Sequence, residues 1–296
     1  MLSNQKGRLT FSQQNMNDRR HQHRGVAETS LLSVREDGVH NRTDWLAAEE
    51  PLEIRVQGPQ QDALSVAVTM RTPGHDDELT IGFLYTEGLI HSRAEIVNIE
   101  ANTLRLDGQP CNTATVTLAH QFDLAPLKRN FYATSSCGIC GKASLEQIAV
   151  HCDPVAPGPV IPRSLIVSLP QALRQTQQLF DQTGGLHATG LFDIFGRLLL
   201  VREDVGRHNA VDKVVGHHVL AGKSSLANHV LMVSGRLSFE ILQKAAMARV
   251  PIVCAVSAPS SLAVQVAQRF GVTIIGFLRD RHFNVYTHPE RIALDC

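Results

Sequence analysis

Ile252-Val253-Cys254-Ala255-Val256-Ser257-Ala258-Pro259-Ser260-Ser261 is a short, unbroken apolar run that ends abruptly in a serine- and proline-bearing loop. A second apolar run, Thr273-Ile274-Ile275-Gly276-Phe277, follows after a stretch of helical spacing at about 260–270. A strand without polar alternation is suited to cover on both faces. Working outward, Leu198–Val201 and Val230–Val233 have the same character, and helical stretches at about 207–221 and 238–248 lie between the runs. Further helices are expected at 170–182 and 144–151. Strands alternating with helices predict a layered α/β domain with a largely parallel sheet.

Upstream the rhythm differs. Leu52-Glu53-Ile54-Arg55-Val56 alternates apolar and charged residues, as does part of Leu64–Thr69, and both read as half-buried strands. Thr72-Pro73-Gly74-His75 forms a turn. Asp76–Leu89 has helical spacing and ends at Gly88. Short strands are expected at Ile96–Glu100, Thr103–Leu106 and Thr113–Leu118. The division that follows is a disordered tail over 1–28, poor in large apolar groups, a small α+β module over 29–125, and the α/β domain over 126–296.

Composition narrows the function. Lys plus Arg and Asp plus Glu each total 28, and no continuous basic face for polymeric nucleic acid is visible. No apolar run approaches the roughly 18 residues of a membrane span. No secretory signal is visible, and six cysteines in 296 residues are too sparse for a disulfide scaffold. The expectation is a cytoplasmic protein with reduced thiols, in which Cys111, Cys152 and Cys254 have packing or surface roles.

Two features carry chemistry. The first is Cys137-Gly138-Ile139-Cys140, flanked by Gly141 and Lys142. Two thiols at this spacing serve a metal, a disulfide exchange or a sulfur carrier. A zinc site would need Cys152 and His151 to complete it. Glycines loosen the loop, while Lys142 and a following helix start with Ser144 and Gln147 at capping-box spacing favour a thiolate. The second feature is the set of strand-end loops: Arg202–Asn209, Ser234-Gly235-Arg236-Leu237-Ser238, Ser257–Ser261 and Leu278–His282. In a parallel sheet these gather at one edge, and serine, glycine and arginine at helix starts suit a nucleotide-like anion. Gly222-Lys223-Ser224 is not a P-loop, because position 217 is His217 where a glycine is required. His187-Ala188-Thr189 lacks the glutamate that a zinc deaminase places two residues after its histidine.

Several segments together resemble the formate dehydrogenase accessory sulfur carrier family, FdhD. They are Glu50-Pro51-Leu52, Met70–Gly74, Glu78–Leu84, Thr134–Gly141, Thr183–Ala188, Glu203–Lys213, Ser234–Arg236, Ser257–Pro259 and Phe283–Tyr286. The likeness spans roughly residues 30–290. It implies a cytidine-deaminase-like α/β domain without deaminase activity, and a homodimer. The implied activity is that of a sulfurtransferase in molybdenum cofactor biosynthesis. Sulfur would pass from a cysteine desulfurase, as a persulfide, to the molybdenum bis(molybdopterin guanine dinucleotide) cofactor required by formate dehydrogenase. GDP would be a fragment mimic of that cofactor. On the resemblance, Cys137 is the persulfide position and Cys140 its partner, and the cofactor-binding segment falls on Phe277, Leu278, Arg279, Asp280, Arg281 and His282. No resident metal is expected. Two other classes stay open: a thiol–disulfide oxidoreductase, and a nucleotide-binding chaperone whose cysteines are structural.

Overall fold

The computed structural model describes residues 25–101, 111–122 and 152–294. The helix expected at 144–151 and the strand at Thr103–Leu106 lie outside the described residues.

The carboxyl-terminal half is built on a six-stranded sheet in the order β13-β12-β11-β10-β8-β9. Its strands are β8 (His187–Asp193), β9 (Leu198–Asp204), β10 (His229–Val233), β11 (Ile252–Ala255), β12 (Thr273–Arg279) and β13 (His282–Val285). Alternate residues of the central strands enter opposite cores. Leu231, Val233, Val253, Ala255 and Ile274 belong to one apolar cluster, and Val230, Met232, Ile252, Cys254 and Ile275 to the other. Cover on both faces is the physical reason these strands are apolar throughout.

The sheet is mixed, which corrects the expectation of a largely parallel one. β10, β11 and β12 run parallel, but β8, β9 and β13 each pair antiparallel with their neighbours. The difference comes from β8, which the sequence hides. Its Gly190 leaves room for Leu173 and Phe192, each 3.0 Å from where a Cβ would stand. A strand carrying a glycine beside Gly184-Gly185 looks like a turn.

One face of the sheet carries three longer helices. Among the described residues the first helix is α1 (Asp76–Thr86), and the short helices that follow it are α2 (Arg163–Ile166), α3 (Leu169–Arg174) and α4 (Gln178–Thr183). The three longer helices are α5 (Arg207–Leu220), α6 (Phe239–Met247) and α7 (Ser261–Phe270). The helix expected over 170–182 is therefore two short ones, broken at Gln175–Gln177. α2 and α3 bring Ile166, Leu169 and Leu173 to the other face of the sheet.

The amino-terminal half holds a four-stranded sheet, β4-β3-β6-β5, from β3 (Glu50–Gln57), β4 (Leu64–Arg71), β5 (Ile96–Glu100) and β6 (Thr113–Leu118). Leu52, Ile54 and Val56 point inward with Ala114, Val116 and Leu118, and α1 covers them with Leu79, Ile81 and Leu84. The same cluster continues into α5, α6 and α7, so one core runs across both halves. α1 meets α5 at backbone contact distance. A Cβ on Gly82 would stand 1.8 Å from the carbonyl oxygen of Asp212, and one on Gly216 1.8 Å from that of Glu78. Only glycine permits that approach.

Ahead of these elements, β1 (Val26–Arg35) and β2 (Gly38–Ala47) form a separate antiparallel ribbon, paired from Val26↔Ala47 to Arg35↔Gly38. β1 begins inside the segment read as a tail.

Candidate functional site

The β8 start, the β9 end and the ends of β10, β11 and β12 converge on one edge of the sheet. Their loops are stitched together by main-chain hydrogen bonds. Ala188 N donates to Ser234 Oγ at 2.8 Å, and Ser234 N donates back to the Ala188 carbonyl at 2.9 Å. Leu237 N donates to the Ala258 carbonyl, Ser260 N to that of Leu237, and Phe277 N to that of Ser257, at 3.1, 2.8 and 3.1 Å. The serine loops expected to hold an anion are thus hydrogen-bonded into one surface.

Helices α5, α6 and α7 all begin at this edge. The Ser260 hydroxyl accepts from Ala263 N and caps α7, but among the described residues no side chain caps α5 at Gly206 or α6 at Ser238. Uncapped N–H groups and the positive end of the helix dipole favour a negative ligand.

Charged side chains reinforce this. His187 lies within electrostatic reach of Arg207, His208, Arg236 and Asp204. Burial, and then the neighbouring cations, lower its pKa and hold the ring neutral. Arg207 Nε is buried and has no hydrogen-bond partner among the described residues. A buried guanidinium N–H without an acceptor is costly, and an anionic ligand would satisfy it. His208 Nε2 approaches Glu240 at 2.7 Å and Ser238 Oγ at 3.0 Å. Both contacts use the same ring nitrogen, so the three do not form a relay of the Ser-His-acid kind.

The floor of the edge is a buried polar network that sequence reasoning did not find. Asp204, fully buried, accepts from Lys213 Nζ at 2.7 Å, Gly206 N at 2.8 Å, Asn209 Nδ2 at 3.0 Å and Thr72 N at 3.2 Å. Lys213 also donates to the Thr72 carbonyl, and Asn209 to that of Met70. Met70–Gly74 and Glu203–Lys213 therefore meet here. Beside them Glu78 accepts from Arg202 Nη2 and contacts His217 Nδ1, each at 2.8 Å. Burial alone would raise the Glu78 carboxyl, but Arg202 and His217 hold it well below the usual range. A cleft of about 330 Å³ opens alongside, lined by Thr72–His75, Leu179, Leu198–Glu203 and Lys213 among others.

The segment Phe277–His282 is a hairpin at the end of β12. Asp280 and Arg281 both have left-handed backbone, with φ of 50° and 64°, as a tight two-residue hairpin turn requires. Arg279, Asp280, Arg281 and His282 are exposed, Phe277 is half-buried, and the Leu278 side chain packs into the core. The four exposed residues offer charge to a ligand at this edge, while Leu278 has only its main chain to offer. Cys137 and Cys140 lie outside the described residues, as do Lys142 and His151. Of the thiols described, Cys254 is buried in the core and Cys152 is half-buried. Burial pushes the Cys152 thiol up to about 11 and the Cys254 thiol higher still. Neither is a ready nucleophile at neutral pH.

Residues 47–293 match the FdhD/NarQ family. The chain belongs to that family. It is 46% identical over 281 residues to the sulfur carrier protein FdhD of Streptomyces avermitilis, covering 89% of this chain and 94% of that protein. Its identity to the protein of the same name from Mycolicibacterium paratuberculosis is 48% over 258 residues, with coverage of 85% and 93%. The Thermoplasma volcanium relative, again a sulfur carrier protein FdhD, is 45% identical over 91% of this chain and 96% of its own. Among solved structures, one described as a formate dehydrogenase accessory protein from Desulfotalea psychrophila superposes with a TM-score of 0.70. That match is 28% identical and covers 90% of this chain and 99% of the other. The α/β architecture and the FdhD resemblance read from the sequence are both borne out. No described helix is long and apolar enough to cross a membrane.

Proposed function

We propose that this member of the FdhD/NarQ family is a homodimeric sulfur carrier. It would take sulfane sulfur from a cysteine desulfurase onto Cys137 and deliver it to the bis(molybdopterin guanine dinucleotide) cofactor that formate dehydrogenase uses. The observation that carries the cofactor half of this reading is the buried Arg207 Nε without a partner, set among His187, His208, Arg236 and two uncapped helix starts. A pyrophosphate-bearing ligand fits that donor set. Arg207 and Arg236 would hold the phosphate oxygens, with Arg279, Arg281 and His282 at the far end of the edge. When bound, the cofactor supplies a metal centre that accepts sulfur.

The sulfur half rests on the two thiols and the relatives' name. The Cys137 thiolate attacks the outer sulfur of the donor persulfide. A new S–S bond forms at Cys137, the donor's S–S bond breaks, and the donor leaves as a thiolate. Attack by the Cys140 thiolate on the inner sulfur of the Cys137 persulfide then closes a Cys137–Cys140 disulfide and expels the outer sulfur as hydrosulfide. A cellular thiol reduces the disulfide and resets the carrier.

Intact mass after incubation with a cysteine desulfurase and cysteine is the test. The native chain should gain one reductant-labile sulfur, and Cys137→Ser should gain none while still binding GDP. A Cys137→Ser protein that loads sulfur normally would move the carrier role to another thiol.

A further inference from the structure

β9 is the outermost strand of the six-stranded sheet. The Ala188 N–H and carbonyl both bond Ser234, on the side away from β9, so the Ala188↔Glu203 pair exchanges no ladder bonds. Glu203, and Val201 two residues before it, therefore turn their main-chain groups outward, as Val205 does in donating to Thr72 Oγ1. Arg202 Nη1 and Lys213 Nζ reach the Val201 and Glu203 carbonyls on that outer side. The edge forms a wall of the cleft of about 330 Å³, which Pro73–His75 and Leu179 also line. An open edge of this kind is a template for a further strand.

The described chain begins at that cleft. Gly25 is buried, and a Cβ on it would stand 3.0 Å from Leu179 and 3.3 Å from Thr72, two of the lining residues. β1 leads from there out to Arg35, so an extended chain ahead of Gly25 continues back across the cleft. We propose that residues Arg20–Arg24 lie along β9 as a further, parallel strand of the sheet and fill the cleft. The open edge from Leu199 to Glu203 is about 13 Å long, the span of five extended residues. Both strands would run toward the end where Gly25 meets Leu179, which makes the pairing parallel.

Charge agrees with this occupant. The Glu203 carboxylate accepts from Leu179 N at 3.0 Å and Phe180 N at 2.9 Å, and among the described residues it has no ion-pair partner. Burial pushes this carboxyl up, and a cation beside it would oppose that cost. The cations of the cleft are already engaged, Lys213 by Asp204 and Arg202 by Glu78. Arg24 adjoins Gly25 and so arrives beside Glu203, and residues 19–24 hold three arginines and no acid. A basic strand also suits an outermost position, where it discourages further pairing. The family match covers residues 47–293, so this strand belongs to the chain's own amino-terminal extension.

Amide hydrogen exchange at single-residue resolution on the full chain tests this. The Val201 and Glu203 amides should exchange about tenfold or more faster in Gln22→Pro with His23→Pro than in the native chain. Adjacent prolines remove ladder donors of both facings, so the variant cannot pair whichever residue turns toward β9. Arg24→Glu, which sets a second carboxylate beside Glu203, should speed the same two amides. The amides of Val230–Val233 should stay equally protected in all these proteins and mark an intact fold. Native Val201 and Glu203 amides that already exchange as fast as in the proline variant would show an open edge and overturn the proposal. Protection that persists in either variant would assign the edge to another occupant and overturn it as well.

Discussion

A Cβ placed on Gly216 would stand 2.7 Å from the backbone nitrogen of Gly82, so the two helices that join the halves of the molecule touch through their main chains. The Glu78 carbonyl is closer still to that Cβ, as the Asp212 carbonyl is to one on Gly82. Gly216→Ala must separate α1 from α5 and disturb the core packed around them. The expected loss is about 3 kcal/mol or more, at the upper end of overpacking effects, because backbone cannot yield as a side chain can. Urea midpoints for Gly216→Ala and Gly82→Ala measure it, and a change under about 1 kcal/mol would contradict the geometry.

Removing the cation from the Asp204–Lys213 pair should be equally damaging for a different reason. Lys213→Met leaves the Asp204 carboxylate buried without its counter-charge, an effect on the order of 3–5 kcal/mol. Asp204→Asn with Lys213→Met, which removes both charges, should recover part of that loss. A denaturation cycle over the four proteins gives the coupling.

Stability should fall on mild acidification. Burial lowers the pKa of His218 to about 4, below its ordinary 6.5, and also lowers those of His187 and His229. The unfolded chain therefore binds protons that the folded chain resists. The stabilisation is complete above pH 6.5 and is lost as the pH falls through the folded pKa values toward 4. Glu78, also depressed, adds a second loss below its ordinary 4.5. His218→Gln should flatten the decline of the urea midpoint between pH 6.5 and 5.

For the anion edge, Arg207→Gln should weaken GDP binding by about tenfold to a hundredfold, the worth of one charge-assisted contact. Arg279→Ala with Arg281→Ala should weaken it as well. Calorimetry on the folded variants decides between them. If Arg207→Gln binds normally and the hairpin double variant does not, the phosphates lie at the β12–β13 tip.

Thiol alkylation should be ordered by burial. In the native protein Cys254 should stay unmodified and Cys152 should react slowly, as burial raises both thiols. Peptide mapping after timed iodoacetamide treatment reads the order, and rapid labelling of Cys254 would contradict its place between β10 and β12.

Much of the fold was legible because apolar runs such as Val230–Val233 are unbroken only when a strand is covered twice. Helix limits at α5, α6 and α7 followed for the same reason. β8 escaped because Gly190 and the preceding Gly184-Gly185 imitate a turn, and with it went the antiparallel half of the sheet. The β1–β2 ribbon escaped because its strands bury little, although Asp37-Gly38 between two alternating runs was a usable hairpin signal. At the candidate site, the serine and arginine loops were readable from their positions after strands. His187 was set aside for lacking a deaminase's glutamate, yet it sits among the cations. The Asp204 network was invisible for a plainer reason: its Thr72 and Lys213 partners are 141 residues apart, and no local pattern links them.

The contact between α1 and α5 also sets a timetable. Glu78 and its partner His217 are separated by 139 residues, so the amino-terminal sheet and its helix leave the ribosome long before α5 exists. At about 5–20 residues per second, that interval is on the order of ten seconds. Through it, the bare glycine face of α1 waits with nothing to lie against, an opening in which a nascent-chain chaperone could shield it.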